Sequence, residues 1–220
     1  MRSLTMIPHN TEGVLITFCG LDGCGKSTMI KRLSDNMESQ NLCVALTKQP
    51  TDMMRQSEIF RTYMDSENHD NFEYRALSLM AAADRIQHTN KVIRPLLNYK
   101  NVVISDRYFY SCLANLRARG YEKDTWIYDV SRHIIKPDIA FFLDVPVEKA
   151  VARVRSREAE RDRYIDMDLQ YRLREEYINI CKENGGILIS SDKDEDESFF
   201  EILDYVKRVL EGNENGENKK

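Results

Sequence analysis

The chain has 220 residues, of which 42% are hydrophobic and 31% charged, proportions that suit one compact domain with a sizeable core and would leave a second full domain cramped. A formal net charge of -4 and a pI near 5.7 argue against a broad electrostatic footprint for nucleic acid or an anionic membrane, so an anionic ligand must be met by a local basic pocket. No apolar run approaches the roughly 20 residues of a membrane span, and "MRSLTMIPHNTEG" lacks the apolar centre of a secretory signal; both features predict a cytoplasmic protein without a membrane partner.

In chain order, residues 1–12 read as a flexible extension. "GVLITFCG" is a short apolar run that ends in glycine, and "KSTMIKRLSDNMESQ" then places Ile30, Leu33 and Met37 at helical spacing, which predicts strand, tight loop and helix. Further strands are predicted at "LCVALT", "NVVISD", "DIAFFLDV" and "GILISS". Helical segments separate or follow them: "FEYRALSLMAAADRIQHTNKVIRPLL", "PVEKAVARVRSRE", "LQYRLREEYINICKE" and "ESFFEILDYVKRVLE". This alternation predicts an α/β fold over residues 13–210, a five-stranded parallel sheet with helices on both faces, followed by a polar, disordered tail at 211–220. Ligands of such sheets bind at the carboxyl ends of the strands. Five cysteines, an odd number with no C-x-x-C pair, read as reduced thiols, and Cys24 falls inside the glycine-rich loop.

Gly20, Leu21, Asp22, Gly23, Cys24, Gly25, Lys26, Ser27 and Thr28 fit G-x-x-x-x-G-K-S/T between a predicted strand and a predicted helix. Glycines let successive N–H groups turn inward on phosphate oxygens, and the helix that follows offers its positive end. Lys26 would span the terminal phosphates of a nucleoside triphosphate and Ser27 would ligate the accompanying Mg2+. GTPases, ATPases and kinases share this loop, but the N-K-x-D run that reads guanine is absent: "NKVI" at 90–93 lacks the aspartate.

The strand "NVVISD" runs into Asp106, Arg107 and Tyr108. Such an aspartate can hold Mg2+ through water and such an arginine can fork onto a phosphate, although an ordinary ion pair would look the same in sequence. In "RVRSREAERDRY", Arg153, Arg155, Arg157, Arg161 and Arg163 alternate with acids, a pattern that a solvated helix face also produces.

From about Val14 to Val209 the chain resembles thymidylate kinases, a family of nucleoside monophosphate kinases. The resemblance rests on "GLDGCGKST", "TKQP" for the family's T-R-E-P, "AADRIQHTNKVIRPLL", "SDRYFYS" for D-R-Y-x-x-S, and "PDIAFFLDVPVEKAVARV", in that order. It implies the P-loop kinase fold with an arginine-rich lid at about 153–166, ATP with Mg2+ as donor, and phosphorylation of dTMP to dTDP. It also implies a homodimer built through helices, which the small and apolar residues of "EYRALSLMAAADRIQHTNKVI" permit. Carried over by position, Asp22, Gln49, Arg85, Arg107, Cys112 and Asn115 meet the acceptor, Ser27 and Asp106 the metal. Arg163, then Arg161 and Arg157, would supply lid charge, because Cys24 stands where some members carry a loop arginine.

Departures from the family pattern fall mostly on the acceptor side. Cys19 replaces a glutamate, Ala81 a phenylalanine that stacks on thymine, Asn115 a tyrosine that crowds a ribose 2'-hydroxyl, and Ile165 a lid glutamate. Met80, Phe109 or Tyr110 could refill the space at Ala81; a different nucleotide, nucleoside or metabolite acceptor, or a non-catalytic nucleotide-binding protein, are the alternatives.

Overall fold

The computed structural model describes residues 2–65, 72–99, 101–162 and 164–217. Its sheet contains β1 (Val14–Cys19), β2 (Val44–Lys48), β3 (Val102–Asp106), β4 (Ile139–Asp144) and β5 (Ile187–Ser190), ordered β2-β3-β1-β4-β5 with every pairing parallel. All six residues of β1 are buried, because it runs between β3 and β4 under helices on both faces, and its sequence is accordingly apolar almost throughout. The edge strands are more open, as Leu46 of β2 and Leu188 of β5 show.

The helices are α1 (Lys26–Ser39), α2 (Asp52–Arg55), α3 (Glu58–Asp65), α4 (Tyr74–His88), α5 (Arg94–Asn98), α6 (Phe109–Ala118), α7 (Trp126–Val130), α8 (Val147–Arg155), α9 (Met167–Glu183) and α10 (Glu195–Glu217). α1 and α10 pack together on one face of the sheet, while α5, α6 and α9 cover the other, with α4 resting on α6. The single helix expected over 72–97 is divided: a π-helical stretch, Thr89–Ile93, joins α4 to α5. Pro95 lies in the first turn of α5, where its missing N–H is tolerated, and the widened stretch before it accommodates the ring.

The N-terminal segment is bonded along the domain: Leu4 N donates to Asn184 Oδ1 (2.9 Å), Ile7 pairs with the 134–136 backbone, and His9 Nε2 lies 2.9 Å from Asp138 Oδ2. Leu4 and Met6 supply the apolar contacts that hold it there. α10 runs to Glu217; the rest of the tail expected at 211–220 lies outside the described residues. Among the described residues no helix is long and apolar enough to cross a membrane.

Candidate active site

The loop between β1 and α1 is held by close backbone approach. Gly20 has φ 136°, and a Cβ there would lie 2.5 Å from the Leu143 carbonyl oxygen; at Gly23, φ 81°, a Cβ would collide with the Ala150 carbonyl of α8. Gly25 precedes α1 without a side-chain cap, so the first N–H groups of the helix remain available to a ligand. Lys26 is buried, and its Nζ donates to the carbonyls of Leu21 (2.6 Å) and Gly20 (3.2 Å). Cys24 is fully buried beneath it, whereas Ser27 and Thr28 are exposed. An ammonium beside the loop carbonyls, uncapped N–H groups and an exposed hydroxyl at the helix start are the groups a phosphate cradle needs.

The end of β3 faces that loop. Arg107 takes φ 66°, and its Nη2 meets Asp22 Oδ1 at 2.5 Å while Nη1 donates to the Gly20 carbonyl (3.0 Å) and to Tyr177 Oη (2.8 Å). Burial opposes the Arg107 charge, but Tyr177, Asp22 and Asp106 outweigh it and raise its pKa well above the arginine norm. The neighbouring Asp106 pairs through Oδ2 with Lys48 Nζ at 3.3 Å; its Oδ1 is buried with no partner among the described residues. Asp106 and Ser27 line the same cleft, of about 560 Å³, together with Thr47 and Lys48. An orphan carboxylate oxygen and an exposed hydroxyl on one cleft fit a hard cation that arrives with nucleotide phosphates. A dedicated cage does not: among the described residues no cluster of three or more His, Cys, Asp or Glu side chains could hold a metal.

Cys19, where the family carries glutamate, is fully buried, and burial pushes its thiol up to about 11. The end of β1 therefore contributes a neutral group beside Lys26 and Arg107. A second acid at the sheet edge, Asp144, is taken by Arg174 of α9 through two bonds of 2.7 and 2.8 Å.

On the acceptor side, Gln49 follows β2 and is fully buried; its N–H donates to the Asp106 carbonyl (2.9 Å) and its Nε2 to His88 Nδ1 (3.0 Å), leaving Oε1 without a partner. Burial lowers the His88 pKa, Arg85 adds to the effect and Asp84 opposes it, which suits the neutral ring that accepts from Gln49. Arg85, 3% exposed on α4, donates from Nη1 to the Ala81 carbonyl at 2.9 Å, and its Nε is unsatisfied. Cys112 is buried within reach of the Arg85 charge. Asn115 on α6 donates to the Ser111 carbonyl (2.9 Å) and accepts from Arg119 Nη1 (2.8 Å).

Phe109 and Tyr110 are buried in the main core, Tyr110 packing on Phe142 at 5.2 Å, and Met80 is an exposed side chain. Ala81 packs against that core and also against a separate cluster of Met54, Tyr63 and Leu77 with Phe72 and Tyr74 around it. Arg119 stacks over the Tyr74 ring at 4.2 Å and donates from Nε to Tyr63 Oη at 3.1 Å.

The segment expected to form a lid lies after β4 and α8; it contains a 3-10 turn at Glu158–Glu160, and Asp166 caps α9 through the Leu169 N–H (3.0 Å). Arg163 lies outside the described residues. Arg157 pairs with Glu160 at 3.9 Å and Arg161 is exposed; among the described residues neither side chain bonds to the loop. Arg153 does, donating to the Gly23 carbonyl at 3.4 Å and to the Ser191 carbonyl at 3.1 Å. Tyr177 and Arg119 carried no motif in the sequence, since a helical tyrosine four residues after Leu173 reads as core and a lone arginine as surface.

A family model described as thymidylate kinase matches residues 18–202. A probable thymidylate kinase of Thermococcus kodakarensis is 38% identical over 174 residues, which cover 77% of this chain and 84% of that protein. A probable thymidylate kinase of Pyrococcus abyssi is 35% identical over 209 residues, 91% of this chain and 99% of that protein, and one of Methanocaldococcus jannaschii is 32% identical over 200 residues, 90% and 98%. With its phosphate cradle, its parallel sheet and this extent of similarity, the chain belongs to the thymidylate kinase family.

Proposed function

We propose that the chain transfers the γ-phosphoryl group of ATP to the 5'-phosphate of dTMP, giving ADP and dTDP. The observation that carries this reading is the 2.5 Å link from Arg107 to Asp22, which fastens an acceptor-side cation to the donor loop. Two anions brought together for in-line transfer need fixed cations between them, and little covalent chemistry is left for the protein to do. In this reading the loop N–H groups from Gly20 to Thr28 and Lys26 hold the donor phosphates. Ser27 and Asp106 would hold Mg2+, which would supply neutralisation of the phosphate charge. Arg107 and Arg85 receive the acceptor's phosphate, with Asp22, Gln49, Cys112 and Asn115 along its sugar and base. Lid arginines, Arg163, Arg161 and Arg157, bring charge to the transferring group on closure.

Five free cysteines suit the reducing cytoplasm, where this reading places the enzyme. A homodimer would use the outer side of α4, where Leu79 is half exposed.

The test is coupled ADP release from Mg-ATP with dTMP, dUMP, dCMP, UMP, CMP, AMP, GMP and thymidine, each corrected for acceptor-free hydrolysis. A clear preference for dTMP is expected. Turnover of another acceptor in its place would sink the acceptor assignment and keep the chemistry; ATP binding without phosphorylation of any acceptor would sink both.

A further inference from the structure

α6 and α9 pack against each other on one face of the sheet and are joined by polar side chains at two places. Near the site, the Tyr177 hydroxyl of α9 accepts from Arg107 Nη1 (2.8 Å) and donates to Ser111 Oγ of α6 (3.1 Å). The second join is made by Arg117, in the last turn of α6. Its Nη1 donates to Glu176 Oε2 at 3.4 Å and its Nη2 to Glu183 Oε2 at 2.8 Å. Glu176 is the neighbour of Tyr177, and Glu183 stands two turns further on the same side of α9, so one guanidinium spans the end of that helix.

This clasp is largely withdrawn from water: the Arg117, Glu176 and Glu183 side chains are 10%, 22% and 7% exposed. Burial opposes the Arg117 charge, but Glu183 and Tyr128 outweigh it and raise its pKa above the arginine norm. Burial raises the Glu176 pKa, and Arg117 counters it. α7 and the N-terminal segment close the clasp. The Tyr128 hydroxyl accepts from Arg117 Nη2 at 2.6 Å, the Arg2 carbonyl accepts from the same nitrogen at 3.5 Å, and the Arg2 guanidinium lies 4.4 Å over the Tyr128 ring. Desolvation offsets most of what a buried ion pair contributes to stability, and what the pair adds over apolar packing is a set of directed bonds that fix distance and angle.

We propose that Arg117 is a positioning residue for the acceptor: it sets the spacing of α6 and α9, which keeps the Tyr177 hydroxyl on Arg107 and so aims Arg107 at the acceptor's phosphate. The proposal rests on the phosphoryl-transfer reading above. Sequence hid it, because "LRARG" matches no motif, and an arginine in a last helical turn reads as a complement to the terminal carbonyls. That role alone would change stability and leave acceptor binding as it was.

A double-mutant cycle in the full chain separates the two roles. KM for dTMP and for Mg-ATP would be measured in Arg117→Met, in Tyr177→Phe and in the pair, beside denaturation midpoints. Arg117→Met should raise the dTMP KM about threefold to tenfold and leave the Mg-ATP KM unchanged. In the pair it should add nothing to Tyr177→Phe, because both act through one hydroxyl. Arg117→Lys, which keeps the charge without the fork, should recover part of the loss. Arg117→Met leaves Glu183 buried without its cation; should that variant fail to fold, Arg117→Met combined with Glu183→Gln removes both charges, and Glu176→Gln cuts only the bond beside Tyr177. Each should raise the dTMP KM in the same way. Lowered stability with an unchanged dTMP KM, a rise shared equally by Mg-ATP, or rises that multiply in the pair would overturn the assignment of Arg117 alone. A wild-type protein that phosphorylates no acceptor would show that the phosphoryl-transfer reading has failed, and this role fails with it.

Discussion

The Tyr177 hydroxyl stands 2.8 Å from Nη1 of Arg107, across 70 positions of sequence, and donates in turn to Ser111 Oγ at 3.1 Å. The helix that follows the lid thus holds the acceptor clamp from behind. Tyr177→Phe keeps the ring beside Phe142 and deletes one partner of a charged donor. A stability loss of ~1 kcal/mol is expected, and, since Arg107 is freed to swing, the acceptor KM should rise about threefold to tenfold with the Mg-ATP KM unchanged. Steady-state kinetics beside a denaturation curve would check it; lost stability with unaltered acceptor kinetics would leave Tyr177 a packing residue.

Lys26 is the group that the donor site cannot spare. Lys26→Ala removes the ammonium bonded to the Gly20 and Leu21 carbonyls, and should lower turnover by about 10²–10³-fold or more, with far-UV circular dichroism intact. Wild-type turnover in this variant would refute the donor assignment.

Asn115 stands where the family's 2'-hydroxyl-crowding tyrosine is expected, and it also anchors Arg119, which stacks on Tyr74. Asn115→Tyr should depress ribonucleotide acceptors relative to deoxyribonucleotides by about tenfold. Rates with UMP and dUMP would read this directly, and an unchanged ratio would remove Asn115 from the sugar pocket.

His88 predicts an acid-sensitive contribution to stability. Its folded pKa lies below the ordinary value of 6.5 because the ring is buried. Above that value neither state is protonated at this site and the full contribution is present; as pH falls through it the unfolded chain binds a proton that the folded chain refuses, and stability declines until the lower folded value is reached. Denaturation midpoints between about pH 7.5 and about pH 5 should therefore fall more steeply for the wild type than for His88→Gln. Parallel slopes would show that His88 is not the group responsible.

Much of the donor half was legible in the sequence, because its signals are local. An apolar run, glycines at fixed offsets and a lysine before a helix fall within a dozen residues, and no distant contact is needed to read them. The acceptor half was legible only where a motif marked it, at Arg85 and Arg107. Ala81 read as a missing ring because a stacking partner was sought at Met80 and beside Tyr108, whereas Tyr63 comes from α3 and packs with Ala81 and Tyr74 only in the folded chain.

The sequence by itself determined the alternation of strands and helices, the parallel sheet and the phosphate loop, since hydrophobic periodicity and glycine geometry act over neighbouring residues. Only the tertiary structure decided which charges are left without partners. Among the described residues Arg55 and Arg85 make no ion pair and Asp106 Oδ1 has no partner, while Arg107 is shared among Asp22, Gly20 and Tyr177, because these depend on how α2, α4, β3 and α9 converge at one edge of the sheet. Charge balance in a buried site is a property of that convergence, and no single stretch of chain contains it.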